Sequence, residues 1–322
     1  MVSGPAIRDR RCGPDPFGDT ARSPWRGAAL GGLVVAAPLL AGCRHDIFDA
    51  KGPVGRADAL ITLDALVIML AIVIPTMIAT VVFAWWFRAS NTKARYLPEW
   101  NFSGRLELVV WAIPTLVIMF LGGVIWIGSH QLDPAQPLPS AKTVKPLNVQ
   151  VVSMDWKWLF IYPDQGIASV NRLVAPVGTP IHFTLTSSSV MNVFFVPQLG
   201  SMIYTMNGMA DQLWLQADQG GTYLGESAMF SGDGFSDMRF NVDAVTPQAF
   251  TGWVQAAQAS GPVLDANAYR ALQVQSSNVR PYTYRSAQPG LFQDIVSQKL
   301  PPGPGPQESK APAPAGAKVH PK

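Results

Sequence analysis

Two long apolar runs occupy the first half of the chain, and short alternating segments take over in the second. Between Ile61 and Phe87 the only charge is Asp64, and between Leu108 and Ile127 there is none. Each run reaches the roughly 20 residues a helix needs to cross a hydrocarbon layer of about 30 Å, so transmembrane helices are predicted over 61–87 and 108–128. Pro75 and Pro114 fall inside them, where a kink is tolerated, and Trp85, Trp86 and Trp126 sit near their ends as interfacial aromatics do. After a Pro-rich linker over 129–146 the period changes to two, with Trp156, Trp158, Phe160 and Tyr162 on one face of a strand. Further strand signals at 182–186, 193–196, 212–215 and 238–242, separated by Gly, Pro, Asn and Asp turns, predict an antiparallel sandwich or barrel over 147–260. Asp265 is placed to cap a short helix from Ala266 to Leu272. That helix opens an arm over 261–300 containing Tyr282, Tyr284 and Phe292; from Pro301 the Pro, Ala, Gly and Lys composition predicts a disordered tail over 301–322.

Charge orients this pattern. The loop over 88–107 carries Arg88, Lys93, Arg95 and Arg105 against Glu99 and Glu107, and short positive loops stay on the cytoplasmic side. Both ends of the hairpin, and the large C-terminal region, are therefore expected in the periplasm. At the start, Arg22 and Arg26 precede an apolar run from Ala28 to Leu40 that ends in L-A-G-C. The run is too short to span a bilayer and reads as a signal peptide. Its end resembles the lipobox of bacterial lipoproteins, which implies a leader over 1–42, a lipidated Cys43, and a periplasmic segment over 43–60.

Composition excludes several chemistries. With 48% hydrophobic and 14% charged residues among 322, the chain suits a membrane-anchored protein, and a net charge of +3 suggests no nucleic-acid partner. Cys12 and Cys43 are the only cysteines, so everything beyond residue 43 lacks disulfides, thiolate metal sites and thiol nucleophiles. His45, His130, His182 and His320 are scattered, and His182 in P-I-H-F-T-L reads as a strand side chain. The methionines Met191, Met202, Met206, Met209 and Met229 read as adaptable packing residues.

The segment from Ser227 to Met238, S-A-M-F-S-G-D-G-F-S-D-M, has the spacing of a copper loop and almost none of its ligands. It resembles the dinuclear copper loop of cytochrome c oxidase subunit II, C-x-E-x-C-x-x-x-H-x-x-M. On that frame Ser227 and Ser231 hold the cysteine positions, Met229 the glutamate, Phe235 the histidine, and Met238 alone is retained. The upstream histidine position falls on Asn192 in S-V-M-N-V-F-F-V-P. Hydroxyl, amide and phenyl groups are poor copper ligands, so no metal is expected here. A kept loop with lost ligands, together with the segment from Ser189 to Met209, is similar to subunit II of the cytochrome bo-type ubiquinol oxidases, over roughly residues 43–295.

That resemblance implies a two-helix transmembrane hairpin followed by an all-β, cupredoxin-like Greek-key sandwich, a membrane-anchored α+β chain of the bacterial inner membrane. It implies a subunit of a proton-pumping, oxygen-reducing quinol oxidase with no catalytic centre or cofactor of its own. Hemes, copper and the quinol site would belong to subunit I, and the partners would be subunit I, other oxidase subunits and membrane lipid, not cytochrome c. Trp156 and Trp158 then read as packing or interface residues, and Phe235 and Met229 are expected to fill the space the metal leaves. Relatives place a glutamate like Glu107 near the mouth of a proton pathway; the alternative is a solvated loop charge that sets topology. A menaquinol oxidase subunit, or a non-enzymatic cupredoxin-like binding lipoprotein, would also fit. A cytochrome c oxidase subunit II would need Cys at 227 and 231.

Overall fold

The computed structural model describes residues 47–95 and 97–305. Cys43, the leader and the tail over 306–322 lie outside the described residues. Two helices, α1 (Pro53–Trp86) and α2 (Gly104–Gln131), are long and apolar enough to cross a membrane. Their side chains are open to the surroundings, Leu108 at 70% and Val81 at 69% exposure among them, as expected of surfaces that meet lipid or partner helices rather than water. Both helices extend beyond the apolar runs, because hydropathy marks only the part suited to hydrocarbon.

The early start of α1 has a specific cause. Pro53 occupies its first turn, where a missing N–H costs nothing. The turns before Ile61 dock on the sandwich. Lys51 N donates to Gln198 O (2.7 Å), Gly55 N to Leu199 O (3.0 Å), and Asp218 N to Lys51 O (2.9 Å). Arg56 pairs with Asp218, and Ser201 Oγ donates to Asp58 Oδ2 at 2.8 Å. Gly52 makes the approach possible, since a Cβ there would lie 2.2 Å from Gln216 O.

The C-terminal part contains β1 (Leu147–Met154), β2 (Lys157–Tyr162), β3 (Ile167–Val170), β4 (Arg172–Pro176), β5 (Ile181–Ser187), β6 (Asn192–Phe195), β7 (Ile203–Thr205), β8 (Asp211–Leu215), β9 (Gly221–Ser227) and β10 (Arg239–Val245). Helix α3 (Pro247–Ala259), β11 (Val263–Leu264), α4 (Ala266–Leu272), β12 (Tyr282–Tyr284), β13 (Ser286–Ala287) and α5 (Leu291–Val296) follow. One sheet has the order β12-β3-β2-β1-β5-β8 and the facing sheet β4-β10-β9-β6-β7; β11 pairs β13 separately. The strands are not all antiparallel as expected: β1 runs parallel to β5, and β4 to β10. Side-chain alternation reports which face is buried and is blind to strand direction.

Between the sheets lies an aromatic core. Phe194 stacks on Phe240 at 5.1 Å and meets Trp158 edge-on at 5.4 Å; all three are at most 2% exposed. Trp158, Phe160 and Tyr162 point into this core from β2, and Trp156 joins it from the two-residue loop between β1 and β2, not from the strand. Helix α3 was not anticipated inside the sandwich region. Thr246 caps it by accepting from Ala249 N at 3.3 Å, Pro247 opens it, and Phe250, Trp253, Val254 and Ala257 line the face that packs on the core.

A second core covers the outer face of the larger sheet. Val152, Met154, Leu159 and Ile161 meet Leu264, Tyr269, Leu272, Tyr284, Leu291, Phe292 and Ile295 of the arm. This explains why β2 is buried at every position rather than at alternate ones. β12 adds to the sheet edge against β3, and Asp265 caps α4 through Asn267 N and Ala268 N. Residues 301–305, expected to be disordered, are instead held against the arm and sandwich, because Gly303 N donates to Ser188 O (2.7 Å) and Gln273 Nε2 to Pro301 O (3.0 Å).

Lys157 sits at the junction of arm and sandwich and is 2% exposed. Its Nζ donates to Val274 O at 2.7 Å and Ser276 Oγ at 2.5 Å. Burial pushes its ammonium down to about 8, against the opposing pull of Asp155. Asp155 is itself 3% exposed; one carboxylate oxygen accepts from Ser189 Oγ and the other has no hydrogen-bond partner among the described residues. Asn171 ties the same two parts, accepting from Trp158 N (2.8 Å) and donating to Val279 O (2.8 Å).

Candidate functional site: a copper-type loop closed by its own side chains

β9 ends at Ser227 and β10 begins at Arg239, and the chain between them loops over the end of the sandwich beside β6. Four of the six aligned positions lie in the interior, Asn192 and Ser227 on strands and Ser231 and Met238 in the loop between β9 and β10. Asn192 is fully buried, Met238 is 1% exposed, Ser227 5% and Ser231 8%. Ser227 Oγ donates to Asn192 Oδ1 at 3.2 Å, and Ser231 Oγ approaches Met238 Sδ at 4.0 Å. Asn192 Nδ2 reaches back to Val190 O at 3.4 Å.

These contacts decide how the residues fit a copper ion. The Ser227 hydroxyl and the Asn192 amide, which stand where a thiolate and an imidazole would bind, are engaged with each other, the Ser231 hydroxyl lies against Met238, and only the thioether of Met238 is a soft donor. The set does not fit the metal. No cluster of three or more His, Cys, Asp or Glu suited to a metal occurs among the described residues.

The other two aligned residues do not fill the interior as expected. Met229 is 36% exposed, and Phe235 is half-buried with its ring against Phe230 (5.6 Å), which is 75% exposed. The reason is the hydrogen bonding just described: it draws the small polar residues inward and leaves the large apolar ones at the rim. The remaining interior is taken by Trp156, expected from sequence to be a packing or interface residue and 6% exposed. Its φ is +63°, uncommon for a bulky residue, and its Nε1 donates to Ser231 O at 3.0 Å. Its ring lies over Gly234, where a Cβ would be 2.2 Å from the indole Cδ2. Trp158 is fully buried in the aromatic core, so both tryptophans pack.

Other singled-out residues lie apart from this loop. Glu107 is exposed in the first turn of α2. His182 lies on β5 and stacks on Trp214 at 4.4 Å, as a strand side chain does.

Sandwich, copper-type loop and paired apolar helices define the class: a membrane-anchored second subunit of the heme-copper oxidase type. The family model "Cytochrome C oxidase subunit II, periplasmic domain" matches residues 164–245, and "COX Aromatic Rich Motif" matches 258–303. A ubiquinol oxidase subunit 2 of Acetobacter aceti is 50% identical over 85% of this chain and 88% of its own length. A cytochrome bo(3) ubiquinol oxidase subunit 2 of Pseudomonas aeruginosa is 47% identical over 84% and 82%. The solved periplasmic domain of subunit II of cytochrome oxidase from Bradyrhizobium japonicum is 25% identical, covering 35% of this chain and 94% of that one, with a TM-score of 0.34. The chain belongs to the ubiquinol oxidase subunit 2 family.

Proposed function

We propose that this chain is subunit II of a cytochrome bo-type oxidase that reduces oxygen with ubiquinol and translocates protons. The observation that carries this reading is the loop from Ser227 to Met238 with Asn192 beside it, where the hydroxyls of Ser227 and Ser231 and the Asn192 amide stand in place of copper ligands, Ser227 bonded to Asn192 and Ser231 against Met238. Without a metal there, the subunit offers no electron entry from cytochrome c. Hemes, copper and quinol belong to subunit I, and this chain contributes assembly through its helices and a cover on the periplasmic face. The excess of Arg and Lys in the loop after α1 supports a hairpin with that loop in the cytoplasm and the sandwich in the periplasm. Cys43 carries the lipid anchor, which mass spectrometry of the mature N-terminus tests.

The deciding experiment is oxygen uptake by the complex that co-purifies with this chain, driven in parallel by ubiquinol and by reduced cytochrome c. Uptake with ubiquinol alone is expected. Uptake with cytochrome c overturns the reading, and absence of any heme subunit favours a binding lipoprotein. For Glu107, the exposed first-turn position favours access to water, and slower proton uptake in a Glu107→Gln complex is expected if it relays protons. An unchanged rate leaves it the topological role.

A further inference from the structure

At the end of α1 that carries the basic loop, the chain folds back on itself and encloses an open cavity of about 600 Å³. Arg88 and Arg95 line it together with Phe87, Leu97, Trp100 and Asn91. Two cations thus face one space with an apolar floor. Phe87, Leu97 and Trp100 are 60%, 52% and 60% exposed, and Phe83 and Trp86 continue an apolar surface down the helix at 61% and 43%.

The cations are held in different ways. Arg88 is positioned: its Nε donates to Ser90 Oγ (3.0 Å), its Nη1 to Trp85 O (3.3 Å), and its guanidinium lies 4.8 Å from the centroid of the Trp85 ring. A guanidinium has five N–H donors in a fixed fork, so one edge remains for an acceptor. Arg95 is exposed, and neither arginine is in an ion pair among the described residues. A helix C-terminus would ordinarily repel an anion. Here Trp85 O accepts from Arg88 and Trp86 O from Asn91 Nδ2 (2.6 Å), which offsets that charge at the mouth of the cavity.

We propose that this cavity binds the headgroup of an anionic phospholipid of the cytoplasmic leaflet. The phosphate would sit between Arg88 and Arg95, and the acyl chains along Phe83, Trp86 and Phe87. A cationic pocket at the cytoplasmic end of a membrane helix, with aromatic walls and an apolar run below it, matches a ligand that joins a phosphate to hydrocarbon. A soluble anion would gain nothing from the apolar floor. The inference rests on the cytoplasmic placement of this loop proposed above.

The test is mass spectrometry of the lipids retained by the purified complex after an extended detergent wash. Wild type, Arg88→Gln/Arg95→Gln and Lys93→Gln are compared, the last removing a charge of the same loop outside the cavity. Retention of phosphatidylglycerol or cardiolipin by wild type and Lys93→Gln, reduced at least several-fold in the double variant, is expected. Equal retention in all three overturns the proposal, and so does equal loss in both variants, which would mean diffuse attraction. Washing with 100 mM inorganic phosphate separates the sources: displacement of the lipid marks a simple anion site and counts against it. Lipid retention is read on whatever complex the chain purifies with, so quinol-driven oxygen uptake on the same sample reports separately on the functional reading.

Discussion

Replacing Lys157 by Met tests the burial that joins the arm to the sandwich. In the closed structure Lys157 is 2% exposed and its ammonium is held near 8, whereas a lysine in an opened or unfolded chain titrates near about 10.4. The opened state therefore binds more protons between these values, and closing is penalised below about 8 and relieved as pH rises towards 10. A difference of this size corresponds to roughly 3 kcal/mol, but Val274 above the ammonium is 68% exposed and water there screens the charge. A relief of about 1 to 3 kcal/mol is the reasoned range. Methionine fills the stem's volume and carries no proton; it leaves Val274 O and Ser276 Oγ without their donor and Asp155 without its nearby cation, costs that set the ratio at pH 7 and not its change with pH. The assay is the rate of cleavage within residues 266–300 of the purified complex by a protease active at both pH 7 and pH 10. Dividing the variant's rate by that of wild type removes the protease's own pH dependence, and cleavage of a transiently opened segment tracks its population. The ratio is expected to rise roughly five-fold to a hundred-fold from pH 7 to pH 10. A ratio that stays constant refutes the buried, charge-penalised lysine.

Three further outcomes follow from the packing. Gly52→Ala forces a Cβ to within 2.2 Å of Gln216 O, so the docking of α1 on the sandwich is expected to loosen, read as faster hydrogen exchange at Gly55 and Asp218 with exchange at Val151 unchanged. Phe194→Ala removes a fully buried ring that touches Trp158, Phe160, Phe183 and Phe240, and should lower sandwich stability by about 3–5 kcal/mol in denaturant unfolding. Asp265→Ala takes away the acceptor for Asn267 N and Ala268 N and should cost about 1 kcal/mol, seen as faster exchange in α4 alone; uniform change across the domain would contradict a local cap.

Much of this protein was legible along the chain. Helices that must satisfy their own backbone in lipid need long uncharged runs, so 61–87 and 108–128 identified α1 and α2 without tertiary information. Asp265 identified the start of α4 because capping is local, and the spacing of Ser227, Ser231 and Met238 identified the loop because ligand type is written in the residues. The missed helix α3 carried a local signal as well, in Thr246-Pro247 and the spacing of Phe250, Trp253, Val254 and Ala257.

What only the tertiary structure decided involves contacts between distant segments. Whether β1 meets β5 in parallel, whether Leu159 and Ile161 face water or the arm, and whether α1 begins at Pro53 or Ile61 depend on partners far away in the sequence. The loop gives the clearest case. Its composition lacks the thiolate and imidazole donors of a copper site, but it does not say that Asn192 and Ser227 turn inward while Phe235 and Met229 stay at the rim. Hydrogen bonding of buried polar groups between strands made that choice, since an unpaired buried hydroxyl or amide costs more than an apolar side chain left half-exposed.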